Sequence, residues 1–312
     1  MKVAKVFKPP ERREGAGFII RDIFNSIPYE GPQGSDPFLM WHHLPRAYYK
    51  PGEMPGAPLH PHRGFYECPY AKTMISDKGA PEAKMLTRVV AGGVEHRGEM
   101  PPGGFELGKV GVGMEHEGLI DPRWCGELQF FQLWVNLPAN RKFDPPAFQQ
   151  MSPSVLPVVE LAASPRATAK ILHGSAFGAT APSTCEAVEW QYLDFELDPG
   201  ARVQHTPPTP MHSRLLYVYE GAGKFGGTLV PEGHVAVLSK VASEELIAEA
   251  GPGGCRFVFV AGRPLGEPIV KHGPFVMTTR QQIQQCFLDY QCGKLCPEAV
   301  AYTFHGMHPH GV

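Results

Sequence analysis

Apolar positions along this chain fall into short runs that stop at glycine, proline or an acidic turn residue, a pattern that predicts strands. In the first half, strands are expected over 17–25, 38–41, 89–94 and 105–114. The clearest is 128–137 (Leu-Gln-Phe-Phe-Gln-Leu-Trp-Val-Asn-Leu), aromatic and aliphatic throughout and ended by Pro138. The polar stretch 72–88 reads as a loop or irregular hairpin. In the second half, 192–197 alternates apolar with polar and runs into Asp198-Pro199-Gly200, a strong turn signal. Runs over 215–219, 234–238 and 257–261 follow. Turns at intervals of about 8–12 residues argue for β-sandwiches or barrels.

One helix is expected near the end. Thr279 stands three residues before Gln282, a capping box, and Ile283, Phe287 and Tyr290 then share an apolar face. Residues 139–160 are rich in Pro, Gln and Ser and read as a connection. The pattern therefore predicts an all-β chain of two sandwiches with a short C-terminal helix, divided into 1–138 and 139–312.

Composition sharpens this. The 312 residues are 43% hydrophobic and 19% charged, enough apolar material for two cores and too much for a disordered chain. Gly (35) and Pro (33) have no collagen period, so they signal turns. A net charge of -2 gives no basic face for nucleic acid. No apolar stretch reaches the roughly 20 residues of a membrane span, and Met1 to Phe7 is not followed by a signal-peptide core. Seven scattered cysteines fit an intracellular protein with reduced thiols, cytoplasmic or nuclear; Cys292 and Cys296 are expected as free thiols near a loop. No symmetric interface is apparent, and a monomer is expected.

Chemistry concentrates in histidines. In His60-Pro61-His62 the two rings are two residues apart, so in an extended segment they share a face and can hold one metal ion. Imidazole suits Fe, Ni, Cu and Zn. His116 follows a Gly-rich approach, Gly111 to Gly113, and lies between Glu115 and Glu117. A third ring from a facing strand would complete a site. Alone, each motif also fits ordinary partly exposed histidines.

The segment His60-Pro61-His62-Arg63-Gly64-Phe65 resembles the H-P-H-R-G-F motif of pirins. Similar pieces follow in the same order: Ser35 to Leu39, Gly98 to Gly118, Gln132 to Leu137, Tyr192 to Gly200 and Gly262 to Met277. The resemblance covers roughly residues 15–290. It implies a bicupin, two cupin-type sandwiches, with one metal in the first, usually iron, although Ni, Co, Cu or Zn also suit the ligands. Carried over, His60, His62 and His116 match three His ligands. Pirins are described as quercetin 2,3-dioxygenases and as transcription cofactors. The resemblance thus implies either a flavonol-like aromatic substrate or a transcription-factor partner.

The chain departs from the pattern at the fourth ligand. The family's H-x-E reads here His116-Glu117-Gly118, one residue out of phase, which in a strand means the opposite face. Glu117 takes the ligand or catalytic-base role only if a β-bulge turns it inward. A second shift stands after the first motif, where Tyr66 replaces the family's Glu and Glu67 follows. His42, His43 and His96 are candidate replacement ligands, with surface positions the blander expectation. Phe65, Phe105 and Met114 are candidates for the pocket or for the core. His205, His212 and His234 lack the H-x-H spacing, so the second sandwich is expected to be metal-free; His308-Pro309-His310 lies in a polar tail.

Overall fold

In the computed structural model, the described residues are 1–14, 18–24, 27–28, 34–54, 56–241 and 244–306. His308 and His310 fall outside them, as do Gly17 and Asn25 at the ends of the first expected strand, whose described part is Phe18–Asp22.

The chain is all-β with one short helix, and it divides into two compact units. One comprises Met1–Pro10, Ile23–Pro37 and Val155–Leu265; the other comprises Glu11–Asp22, Phe38–Ser154 and Gly266–Val312. This differs from a single cut at 138/139. The reason is strand pairing: Ala147–Met151, in the expected connection, joins Phe105–Lys109 on one side and Ala301–His305 on the other.

The first unit is built on a nine-stranded antiparallel sheet. Its core comes from alternate residues of neighbouring strands: Leu193 and Phe195, Leu216 and Val218, Phe257 and Phe259. That is the period-two pattern that marked these runs in the sequence. Two histidines are buried in this unit. His173 bonds Ser183 Oγ at 2.8 Å and stacks on Trp190, while His205 meets Gln191 Oε1 at 3.1 Å. Burial depresses His173 to about 3 and His205 to about 4. Between pH 6.5 and about 4 the unfolded chain therefore binds more protons than the folded one, and stability falls as pH drops through that window. With two such rings the slope approaches about 2.7 kcal/mol per pH unit. Urea midpoints should fall steadily from pH 7 to pH 5, and equal midpoints would contradict neutral burial of these rings.

The second unit carries a four-stranded and an eight-stranded sheet. In the smaller, Met114–Leu119 is central, between Gly56–His62 and Met85–Ala91, with Val94–Met100 outermost. The larger is centred on Gly126–Asn136, flanked by Phe38–Tyr49 and Phe65–Ser76. Two expectations change here. Lys72 to Ser76 is strand, because pairing with the long central strand carries it on past the sequence's polar signal. The runs 89–94 and 105–114 each split at glycine-containing turns.

The helix Arg280–Gln291 begins with the full capping box: Thr279 Oγ1 accepts from Gln282 N–H, and the Gln282 side chain accepts from Thr279 N–H. It buries Ile283 and Cys286, with Phe287 partly buried, whereas Tyr290 is 44% exposed. The apolar face is therefore narrower than the sequence implied. No helix among the described residues is long and apolar enough to cross a membrane.

Candidate metal centre

His60 and His62 end the strand Gly56–His62, and His116 lies directly opposite His60 on Met114–Leu119. The three rings converge, with centroid separations of 4.7, 4.4 and 5.1 Å. They are the one group of three or more His, Cys, Asp or Glu among the described residues positioned to hold a metal ion.

Each ring's orientation follows from its neighbours. His60 Nδ1 lies 2.6 Å from the Pro58 carbonyl and His62 Nδ1 3.2 Å from the Pro274 carbonyl. A carbonyl only accepts, so both rings carry their proton on Nδ1 and leave Nε2 with a free lone pair. Burial pushes His62 and His116 down to about 3 and also lowers His60. All three are therefore neutral, the form a metal needs.

A buried carboxylate, Glu67, stands against two of the rings but outside the three-histidine group. It is fully buried on Phe65–Ser76, with Oε1 2.9 Å from His116 Nδ1 and Oε2 3.3 Å from His62 Nε2. The Oε1 contact is close but off the N–H direction, so this buried oxygen has no hydrogen bond. Burial raises the Glu67 carboxyl, while His62 and His60 pull it back. Gly108 lies opposite Glu67 on the next strand, and a methyl group there would stand 3.2 Å from Glu67 Cγ. The glycine lets Phe148, Glu67 and Met114 all approach this strand closely.

These contacts test whether a cation fits. His116 Nε2 is 3.1 Å from His60 Nε2. If His116 is protonated on Nε2, its Nδ1 lone pair faces a carboxylate; if on Nδ1, two Nε2 lone pairs face each other. A shared cation relieves both conflicts. Two nitrogens bound to one ion at about 2.1 Å, roughly 90–110° apart, lie roughly 3.0–3.4 Å from each other, which is the spacing found.

Beside the cluster is a cavity of about 480 Å³ between the two sheets. Its wall is mostly apolar, with Phe18, Met40, Leu44, Leu59, Phe130 and Trp134 among its residues, and Glu14, His42, Glu106 and Gln132 add polar groups.

The solved quercetin 2,3-dioxygenase of Acinetobacter baumannii superposes with a TM-score of 0.81 at 25% identity, covering 94% of this chain and 98% of that one. Residues 192–296 match the model of the pirin C-terminal cupin domain. A Pseudomonas aeruginosa protein, provisionally named a quercetin 2,3-dioxygenase, is 32% identical over 90% of this chain and 93% of its own. Human pirin is 32% identical over 292 residues, 91% of this chain and 90% of its own. The chain belongs to the pirin family.

Gly118 stands where the pirin pattern has its carboxylate. The expected bulge is not where Glu117 needed it. Met114–Leu119 runs in unbroken register beside Met85–Ala91, and the extra residue sits in Gly56–His62 instead. Glu117 therefore keeps the opposite strand parity from His116, with Oε1 3.8 Å from Arg88 Nη1, although it also borders the cavity. At position 118 a Cβ would meet Met85 Sδ at 2.6 Å, so Met85 occupies the space a longer side chain would need.

The remaining candidates separate cleanly. His42 faces the cavity, its Nδ1 3.0 Å from Glu14 Oε2 and its Nε2 bonded to Arg12 at 3.1 Å, while His43 stacks on Phe131 and His96 on Tyr302. Phe65, Phe105 and Met114 are fully buried core residues and do not line the cavity. His234 bonds the Glu232 carbonyl. All seven cysteines are free thiols.

Proposed function

We propose that this pirin is a metal-dependent dioxygenase acting on a flavonol-like aromatic. The observation that carries the reading is the convergence of three neutral imidazoles beside an apolar cavity of about 480 Å³, with the buried Glu67 carboxylate against two of the rings. His60, His62 and His116 would each offer Nε2 and Glu67 would offer Oε2. Imidazole and carboxylate together suit Fe, Ni, Co, Cu or Zn, with iron the expected occupant. Once bound, the ion would act as a Lewis acid with positions open to substrate. The chain's own contributions are orientation and exclusion of water. Pro58 and Pro274 hold two rings in place, and the apolar wall takes up a flat aromatic body.

Elemental analysis of the purified protein, followed by quercetin absorbance in air with each metal, tests this. Metal-dependent bleaching is expected, and His60→Ala should reduce it by at least about 100-fold together with bound metal. Full metal occupancy without bleaching would favour the other family role, a metal-responsive partner of a transcription factor. No metal under any loading would end both readings.

A further inference from the structure

The cavity wall carries a carboxyl group that the metal reading leaves unused. Glu106, on Phe105–Lys109, is 1% exposed and lines the cavity together with His60, His62 and His116. Its Oε1 accepts two hydrogen bonds, from Thr87 Oγ1 at 2.8 Å and Gln150 Nε2 at 2.6 Å. Tyr302 donates to Gln150 Oε1 at 2.8 Å, which fixes the amide with its NH2 toward Glu106. Oε1 is thereby saturated, and Oε2 has no hydrogen-bond partner among the described residues. Any proton exchanged by this group rides on Oε2.

The other carboxylates on the wall are committed elsewhere. Glu14 pairs with His42, and Glu117 reaches to Arg88. Glu67 does not line the cavity and stands against His62 and His116.

We propose that Glu106 is the base that takes the proton from an acidic aromatic hydroxyl bound in this cavity. The inference rests on the flavonol reading above. The substrate O–H bond breaks, an O–H bond forms at Glu106 Oε2, and the electron pair stays on the substrate oxygen as a phenolate. No oxidant enters this step.

The surroundings suit the task. Burial lifts the Glu106 carboxyl to about 7, the Thr87 and Gln150 hydrogen bonds pull it down, and the charge of Glu67 lifts it further. Glu67 and Tyr302 are the titratable groups that face it; Thr87 and Gln150, which touch it, are neutral. A carboxyl on the cavity wall whose Oε1 is held by two donors keeps Oε2 available for a proton.

The test is an anaerobic titration of quercetin into the metal-loaded protein, reading the absorbance of ionised flavonol across pH. The bound flavonol should ionise at a lower pH than quercetin free in solution. Glu106→Gln should raise the midpoint by at least about one pH unit, a tenfold smaller ionised fraction below it, with metal content and binding at low pH retained. Glu106→Asp keeps the charge but withdraws it by one methylene, and should fall between. Midpoints equal to the parent's in both variants overturn the proposal. No quercetin binding by the parent protein overturns it together with the flavonol reading. Loss of ionisation in Glu106→Gln alongside a parent that never bleaches quercetin in air would remove the dioxygenase and leave the base.

Discussion

Glu67→Gln is expected to weaken metal binding by about 100-fold or more, roughly 2.7 kcal/mol, while Glu117→Gln changes it by less than about twofold. Gln matches Glu in size, so the cavity and the Gly108 approach are kept and only the anionic donor is lost. The same change should not destabilise the metal-free protein. There, Glu67 is a buried carboxyl with one oxygen unbonded, and such a group costs free energy unless paired. The metal-free variant should therefore melt at or above the metal-free parent, with the order reversed once metal is added. Chelator competition and paired melts measure both. Equal metal affinity in parent and Glu67→Gln would return the fourth position to another residue.

Arg63→Met should cost about 2–3 kcal/mol of stability, since two carbonyls and the partly exposed Asp289 carboxylate lose a charged donor. Arg63 is 3% exposed, one residue past the His pair, and its guanidinium ties three distant segments together. It pairs with Asp289 of the C-terminal helix at 2.6 Å, donates to the Leu295 carbonyl at 2.9 Å and donates to the Val112 carbonyl. Methionine fills part of the volume but leaves two carbonyls and a carboxylate without their donor. Denaturant unfolding measures the loss, and a change below about 1 kcal/mol would mean that water replaces the guanidinium. Because Arg63 adjoins His62, metal affinity should fall as well, though less than in Glu67→Gln.

The sequence made local features legible. The capping box of Thr279 and Gln282 formed because it needs only four consecutive residues. The shared face of His60 and His62 followed from strand geometry. His116 stood out locally only as a histidine after a Gly-rich approach, since its place opposite His60 depends on a sheet register that a single sequence does not display. Glu67 shows why the rest was hidden. It sits in a strand whose first seven residues are all buried, so alternation of apolar and polar gave no clue to its face. Its role depends on Gly108 opposite it and on an extra residue in the His strand, neither of which has a local signature. Tyr290 failed for the same reason, since which side of a helix is covered depends on what packs there.

The ring of His62 is steered by the carbonyl of Pro274, which lies 212 residues later in the chain. At a synthesis speed of about 5–20 residues per second, the growing polypeptide holds its histidine pair for roughly 10–40 s before that carbonyl exists. A nascent chain stalled before residue 274 thus presents the two histidines without the contact that aims His62.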